Sequence, residues 1–134
     1  MKSSKLMIAV VFASLFLLAP AFAQTVPIRV TVPFDFTVGD QRLPAGEYRV
    51  AILNDSALRV LRMDGSSVAS VVTTYINGGP NQDPTPKLVF HRYGDRRFLS
   101  QVWTGEAGRE LFASASELEY ARTTQQASVI VAAK

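Results

Sequence analysis

Lys87-Leu88-Val89-Phe90-His91-Arg92-Tyr93-Gly94-Asp95-Arg96-Arg97-Phe98-Leu99-Ser100-Gln101-Val102-Trp103-Thr104 reads as two strands joined at Gly94-Asp95. A two-residue connection with Gly first matches a type II′ turn, whose twist suits the flanking strands. This register sets Phe90 opposite Leu99, His91 opposite Phe98, and Arg92 opposite Arg97. Strict alternation puts Leu88, Phe90, Leu99 and Trp103 on one face, and Val89, Phe98 and Val102 on the other. A hairpin apolar on both faces wants cover on both, which places it centrally in a layered β domain.

The chain before the hairpin has the same period of two. Ile28, Val30, Val32, Phe34, Phe36 and Val38 alternate with polar residues, so residues 28–38 read as one half-buried strand. Pro33 within it points to an edge strand or a bulge. Gly39-Asp40 begins a turn and Leu43-Pro44-Ala45-Gly46 makes another. Tyr48, Val50 and Ile52 form the apolar side of the next strand, and Asn54-Asp55-Ser56 turns it into residues 58–63. Asp64-Gly65 signals a hairpin to a Val- and Thr-rich strand at 67–76. Residues 77–86 hold two Gly and three Pro and read as a long loop.

After the hairpin the pattern changes. Residues 114–126 carry helix formers, with Ser114 as N-cap and Glu117 three residues on, as a capping box requires. Leu111, Ala115, Leu118 and Ala121 follow helical spacing and predict the apolar stripe. Residues 128–132 read as a last strand. The expected fold is mainly β: a small antiparallel β-sandwich or partly closed barrel, with one C-terminal helix and a final strand.

The first residues address the chain. Lys2 and Lys5 precede an apolar run at 6–19, Pro20 ends it, and Ala21-Phe22-Ala23 offers small residues where a signal peptidase reads. The run is too short to span a bilayer as a helix. Residues 1–23 are therefore read as a signal peptide cleaved after Ala23, and 24–134 as a single β-rich domain, periplasmic or secreted. The chain has 14 Lys and Arg against 11 Asp and Glu, and two of the basic residues leave with the signal. So balanced a domain lacks the basic face that nucleic acid requires. With no Cys, an exported domain must be held by its core.

Two segments carry a resemblance. Phe34-Asp35-Phe36-Thr37-Val38-Gly39-Asp40 with Leu43-Pro44-Ala45-Gly46-Glu47-Tyr48-Arg49-Val50 is one, and Leu88 through Trp103 is the other. Together they resemble small exported β-rich proteins of acidobacterial type, a family of unknown function. The resemblance covers nearly the whole chain and implies a Gram-negative envelope. It supplies no activity, ligand or catalytic residue. The Leu43-Pro44-Ala45-Gly46 turn with Tyr48 also looks like turns in transthyretin-like modules, and turn chemistry alone accounts for that.

Chemistry-bearing residues are sparse. His91 is the only histidine, and a transition-metal site wants several converging ligands. Ser100 lies diagonal to His91 across the hairpin, yet no Gly-x-Ser-x-Gly elbow is present. Most aspartates sit in turns, where Asp bonds the local backbone. No cofactor or metal is implied. The opposed pair Arg92 and Arg97, with Arg96 beside them, is the one electrostatic oddity, since facing like charges destabilise a sheet. The hairpin tip thus reads as an anion or partner site built from Arg92, Tyr93, Arg96 and Arg97, with His91 nearby and Tyr93 and Trp103 as stacking surfaces. The expected role is a non-catalytic binding or structural module of the cell envelope. Its partner would be a protein or envelope component, or a small ligand, and an exposed edge at 28–38 offers a route to homodimers. Two alternatives stand beside it: a barrel carrier of a small apolar ligand, and a hydrolase using His91. Convergence of His91 with a carboxylate and a hydroxyl in a cleft is the feature that favours the hydrolase.

Overall fold

Alternating apolar residues need a second layer to face, and here they find it in a folded-over sheet. The computed structural model describes residues 27–77, 85–105 and 107–133. The signal peptide, its cleavage point at Ala23 and most of the 77–86 loop lie outside the described residues. Ten strands and one helix follow in order: β1 Ile28–Val32, β2 Phe36–Val38, β3 Gln41–Leu43, β4 Gly46–Asn54, β5 Ala57–Arg62, β6 Ser67–Ile76, β7 Lys87–Tyr93, β8 Arg96–Trp103, β9 Gly108–Leu111, α1 Ala115–Thr123 and β10 Gln126–Ala132.

β1, β4, β5 and the first half of β6 form one antiparallel layer. The second half of β6 pairs β9, and β9, β8, β7 and β10 continue as the other layer. β2 joins β8 through a single parallel bridge, Thr37 to Phe98, and carries β3 on its far side. The sheet does not close into a barrel: β1 and β10 approach each other with no ladder between them. The core lies between the layers, built from Val30, Val32, Phe36, Val38, Tyr48, Val50, Leu58, Val60, Leu88, Phe90, Leu99 and Val102. Edge-to-face rings fill its centre, with Phe34 and Phe36 at 5.0 and 5.5 Å from Phe90 and Tyr48 at 5.3 Å from Phe36. Among the described residues no helix is long and apolar enough to cross a membrane.

Three expectations need correction. The 28–38 segment is two strands, not one. Pro33 has no N–H for a ladder, so the chain leaves β4 there and β2 crosses to the β8 side. β1 remains an edge strand, as the proline demands.

The faces of the β7–β8 hairpin also change partway along. The turn-proximal register is as read, with Phe90, His91 and Arg92 opposite Leu99, Phe98 and Arg97. Gly94 takes φ 61°, as the first position of a II′ turn requires. A bulge then inserts Ser100, so Val89 pairs Gln101 and Leu88 pairs Val102. Beyond it the faces swap: Val102 is buried in the core, and Trp103 turns outward beside Lys87.

The helix stripe is the third correction. Leu118 is 54% exposed, and the residue α1 buries is Glu117. The helix covers the outer face of β7–β8 with a carboxylate in place of an apolar stripe.

Candidate functional site

Two groups of polar side chains stand out, one under α1 and one at the hairpin tip. The first lies under α1. Ser114 caps the helix, its hydroxyl accepting the Glu117 N–H at 3.2 Å. The reciprocal half of a capping box is not made, because the Glu117 carboxylate turns to the sheet. Its Oε2 accepts from the Tyr93 hydroxyl at 3.0 Å and from His91 Nδ1 at 3.1 Å. With Nδ1 as the donor, Nε2 faces the Ser100 hydroxyl at 3.0 Å, which donates to the neutral ring. Strand alternation aligns His91 and Tyr93 on β7 with Phe98 and Ser100 on β8. The result is a line of hydroxyl, imidazole and carboxylate. Ser100 and Glu117 are buried, while the His91 side chain keeps a quarter of its surface. The connectivity is that of an activated serine. Ser100 is itself buried, so the line works first as a polar clamp that holds α1 down.

The clamp shows in Tyr93. Burial first, then the hydrogen bond to Glu117 and its negative charge, push the Tyr93 hydroxyl up to about 12. The fold prefers the neutral phenol, so this contribution is complete below pH ~10, the usual tyrosine value, and fades as pH rises toward 12. Urea titrations from pH 8 to 11.5 are expected to show wild type losing on the order of 2 kcal/mol more than Tyr93→Phe over the upper part of that range. Burial raises Tyr48 too, so the difference between the two proteins is the measurement that counts. Parallel curves would show that Tyr93 is not coupled to folding.

The second group lies at the hairpin tip. Arg96 and Arg97 of β8, Arg42 of β3, Asp35, Thr37 and Asp95 line a cleft of ≈ 170 Å³. Among the described residues, none of the three arginines makes an ion pair or a side-chain hydrogen bond. Arg97 lies over the Phe34 ring at 4.6 Å, and Arg96 over the Tyr120 ring at 5.5 Å. The rings stabilise these two guanidinium groups without accepting their N–H bonds. Asp35 is fixed, because its Oδ1 accepts the Ala45 N–H at 3.0 Å. Tyr48 donates to the Pro44 carbonyl at 2.6 Å, so the Leu43–Gly46 turn that presents β3 is tied at both ends.

The sequence-read tip is thus only partly assembled. Arg96 and Arg97 enter the cleft. Arg92 is exposed opposite Arg97 and does not line it. Tyr93 and His91 belong to the clamp under α1. Trp103 sits at the far end of β8, its indole N–H on Gln101 at 3.0 Å. Arg42 was not legible as a member, because its three-residue strand reads as part of a turn; the unpaired Arg-Leu-Pro sequence gave no sign of where it would dock. Glu117 was legible only as a capping residue.

Comparison with protein-family models, with curated proteins and with solved structures returns no match.

Proposed function

We propose that the mature chain, residues 24–134, is an exported, non-catalytic β domain of the bacterial envelope whose task is binding, and that it binds through the Arg42–Arg96–Arg97 cleft. One observation carries this reading: among the described residues, three arginines without ion partners line one cleft. Arginine forks suit carboxylate and phosphate groups, and surface charges left unneutralised beside one another cost stability unless a ligand offsets them. The barrel-carrier alternative loses ground, since stacked aromatic rings occupy the space a ligand chamber would need. Native mass spectrometry of the chain taken from its host's periplasm tests the reading. The expected species is residues 24–134 with a retained component that the Arg42→Ala/Arg97→Ala double variant loses. Full precursor mass in the cytoplasmic fraction would sink the export reading, and retention by the double variant would move the site elsewhere.

A second reading has one observation in its favour, the Ser100–His91–Glu117 line. A fluorophosphonate probe decides it. Covalent label on Ser100 that His91→Asn abolishes would make the chain a serine hydrolase. Folded protein that stays unlabelled removes that reading.

A further inference from the structure

The cleft has a charge balance that selects among anions. Its lining carries three guanidinium groups and two carboxylates, those of Asp35 and Asp95, for a net charge of one positive unit. Neither carboxylate is within ion-pair distance of the arginines among the described residues, so neither cancels one of them by direct contact. Asp35 cannot swing away, since the Ala45 N–H holds it. Asp95 follows Gly94 in the turn, with its side chain exposed at the rim. An incoming anion therefore meets two negative charges along with three positive ones. The first unit of charge it brings is attracted on balance; a second meets a site already neutralised, with two carboxylates facing it.

Shape points the same way. Arg97 and Arg96 are placed beside the Phe34 and Tyr120 rings and make no side-chain hydrogen bond among the described residues, which leaves their coplanar N–H pairs as available donors. Coplanar donor pairs match a planar carboxylate with two parallel hydrogen bonds. The cleft volume suits one such group and little more.

Resting on the binding reading above, we propose that the cleft recognises a single carboxylate group, with Arg42, Arg96 and Arg97 as its donors and Asp35 and Asp95 as a filter against doubly charged anions. Asp95 is the residue through which the filter can be removed. It is exposed, it makes no side-chain hydrogen bond among the described residues, and Asn is equally at home in a tight turn.

The test is a nuclear magnetic resonance titration of residues 24–134, following the arginine Nε–Hε signals at low ionic strength near pH 8. Acetate is the carboxylate probe, and inorganic phosphate, chiefly a dianion at that pH, is the competitor. Acetate is expected to shift the Arg42, Arg96 and Arg97 signals in a saturable way, with phosphate at least ~3-fold weaker. Asp95→Asn is expected to strengthen phosphate binding by ~3-fold or more while changing acetate binding less, a ratio that follows from removing one charge at close range in a wet site. Phosphate tighter than acetate in wild type would overturn the carboxylate assignment and leave the binding site standing. No shift of the three signals with either probe would remove the site itself. An unchanged phosphate affinity in Asp95→Asn would overturn the filter. Galacturonate and N-acetylglutamate α-amide, each a monoanion, then separate the sources, a sugar acid from an acidic side chain, by which one shifts the same signals at lower concentration.

Discussion

Glu117→Ala is expected to free α1 from the sheet and lower the folding stability by about 3 kcal/mol. The estimate comes from the groups left behind. His91 Nδ1 and the Tyr93 hydroxyl both depend on Glu117 Oε2, and each buried polar group that loses its partner costs ~1–3 kcal/mol. Part of that is recovered when water reaches the partly exposed imidazole. The helix has little else to hold it. Leu118 points to solvent, and the helix keeps Tyr120 against Phe98 at 5.9 Å and beneath Arg96 at 5.5 Å. Nine residues of helix are too few to persist alone in water. Urea denaturation gives the stability, and hydrogen exchange over residues 115–123 reports the helix. Glu117→Gln keeps one acceptor oxygen and should cost about half as much. A Glu117→Ala protein within ~0.5 kcal/mol of wild type, with α1 amides still protected, would show that the carboxylate is not what holds the helix.

Phe90→Ala is expected to be more severe, at about 4 kcal/mol. Phe90 is fully buried where the two layers meet, with Phe34 and Phe36 packed edge-on against it. Truncation of a buried Phe costs ~3–5 kcal/mol through lost transfer energy and an unfilled cavity. Small domains hold only ~5–15 kcal/mol in total, and this one has no disulfide to fall back on. Expressed at 37 °C, the variant should be largely unfolded. Ile130→Ala, at a residue 63% exposed, is the control and should stay within ~0.5 kcal/mol. Equal effects at the two positions would contradict the placement of the core.

How far the sequence could be read depended on distance along the chain. The β7–β8 register was legible because two residues of turn fix it, and Gly94 identified the turn. Ser114 was legible as a cap because its partner is three residues away. The Ser100 bulge was not. Nothing local distinguishes a strand that inserts a residue from one that alternates throughout, and from that one position the faces of Val102 and Trp103 were inverted. Pro33 announced an interruption without saying that the strand beyond it would cross to β8. The candidate sites suffered most, since each joins distant segments. Glu117 meets His91 across 26 residues, and Arg42 meets Arg96 across more than twice that interval. Alternation and turn chemistry carry no information about such pairings. Glu117 was legible only as a cap partner three residues from Ser114, because its turn toward the sheet depends on His91 and Tyr93 far back in the chain.

β6 belongs to both layers, and this sets the order in which the molecule can assemble. β4, β5 and β6 are joined by tight turns, so their ladders close small loops at little entropic cost. β9 must come back to the far half of β6 from beyond the β7–β8 hairpin, a much larger closure. The β4–β5–β6 meander is therefore the natural folding nucleus, and the protruding half of β6 is the template on which the second layer is laid. Substitutions in the meander should slow folding, whereas those in β10, the last strand to be added, should act mainly on the rate of unfolding.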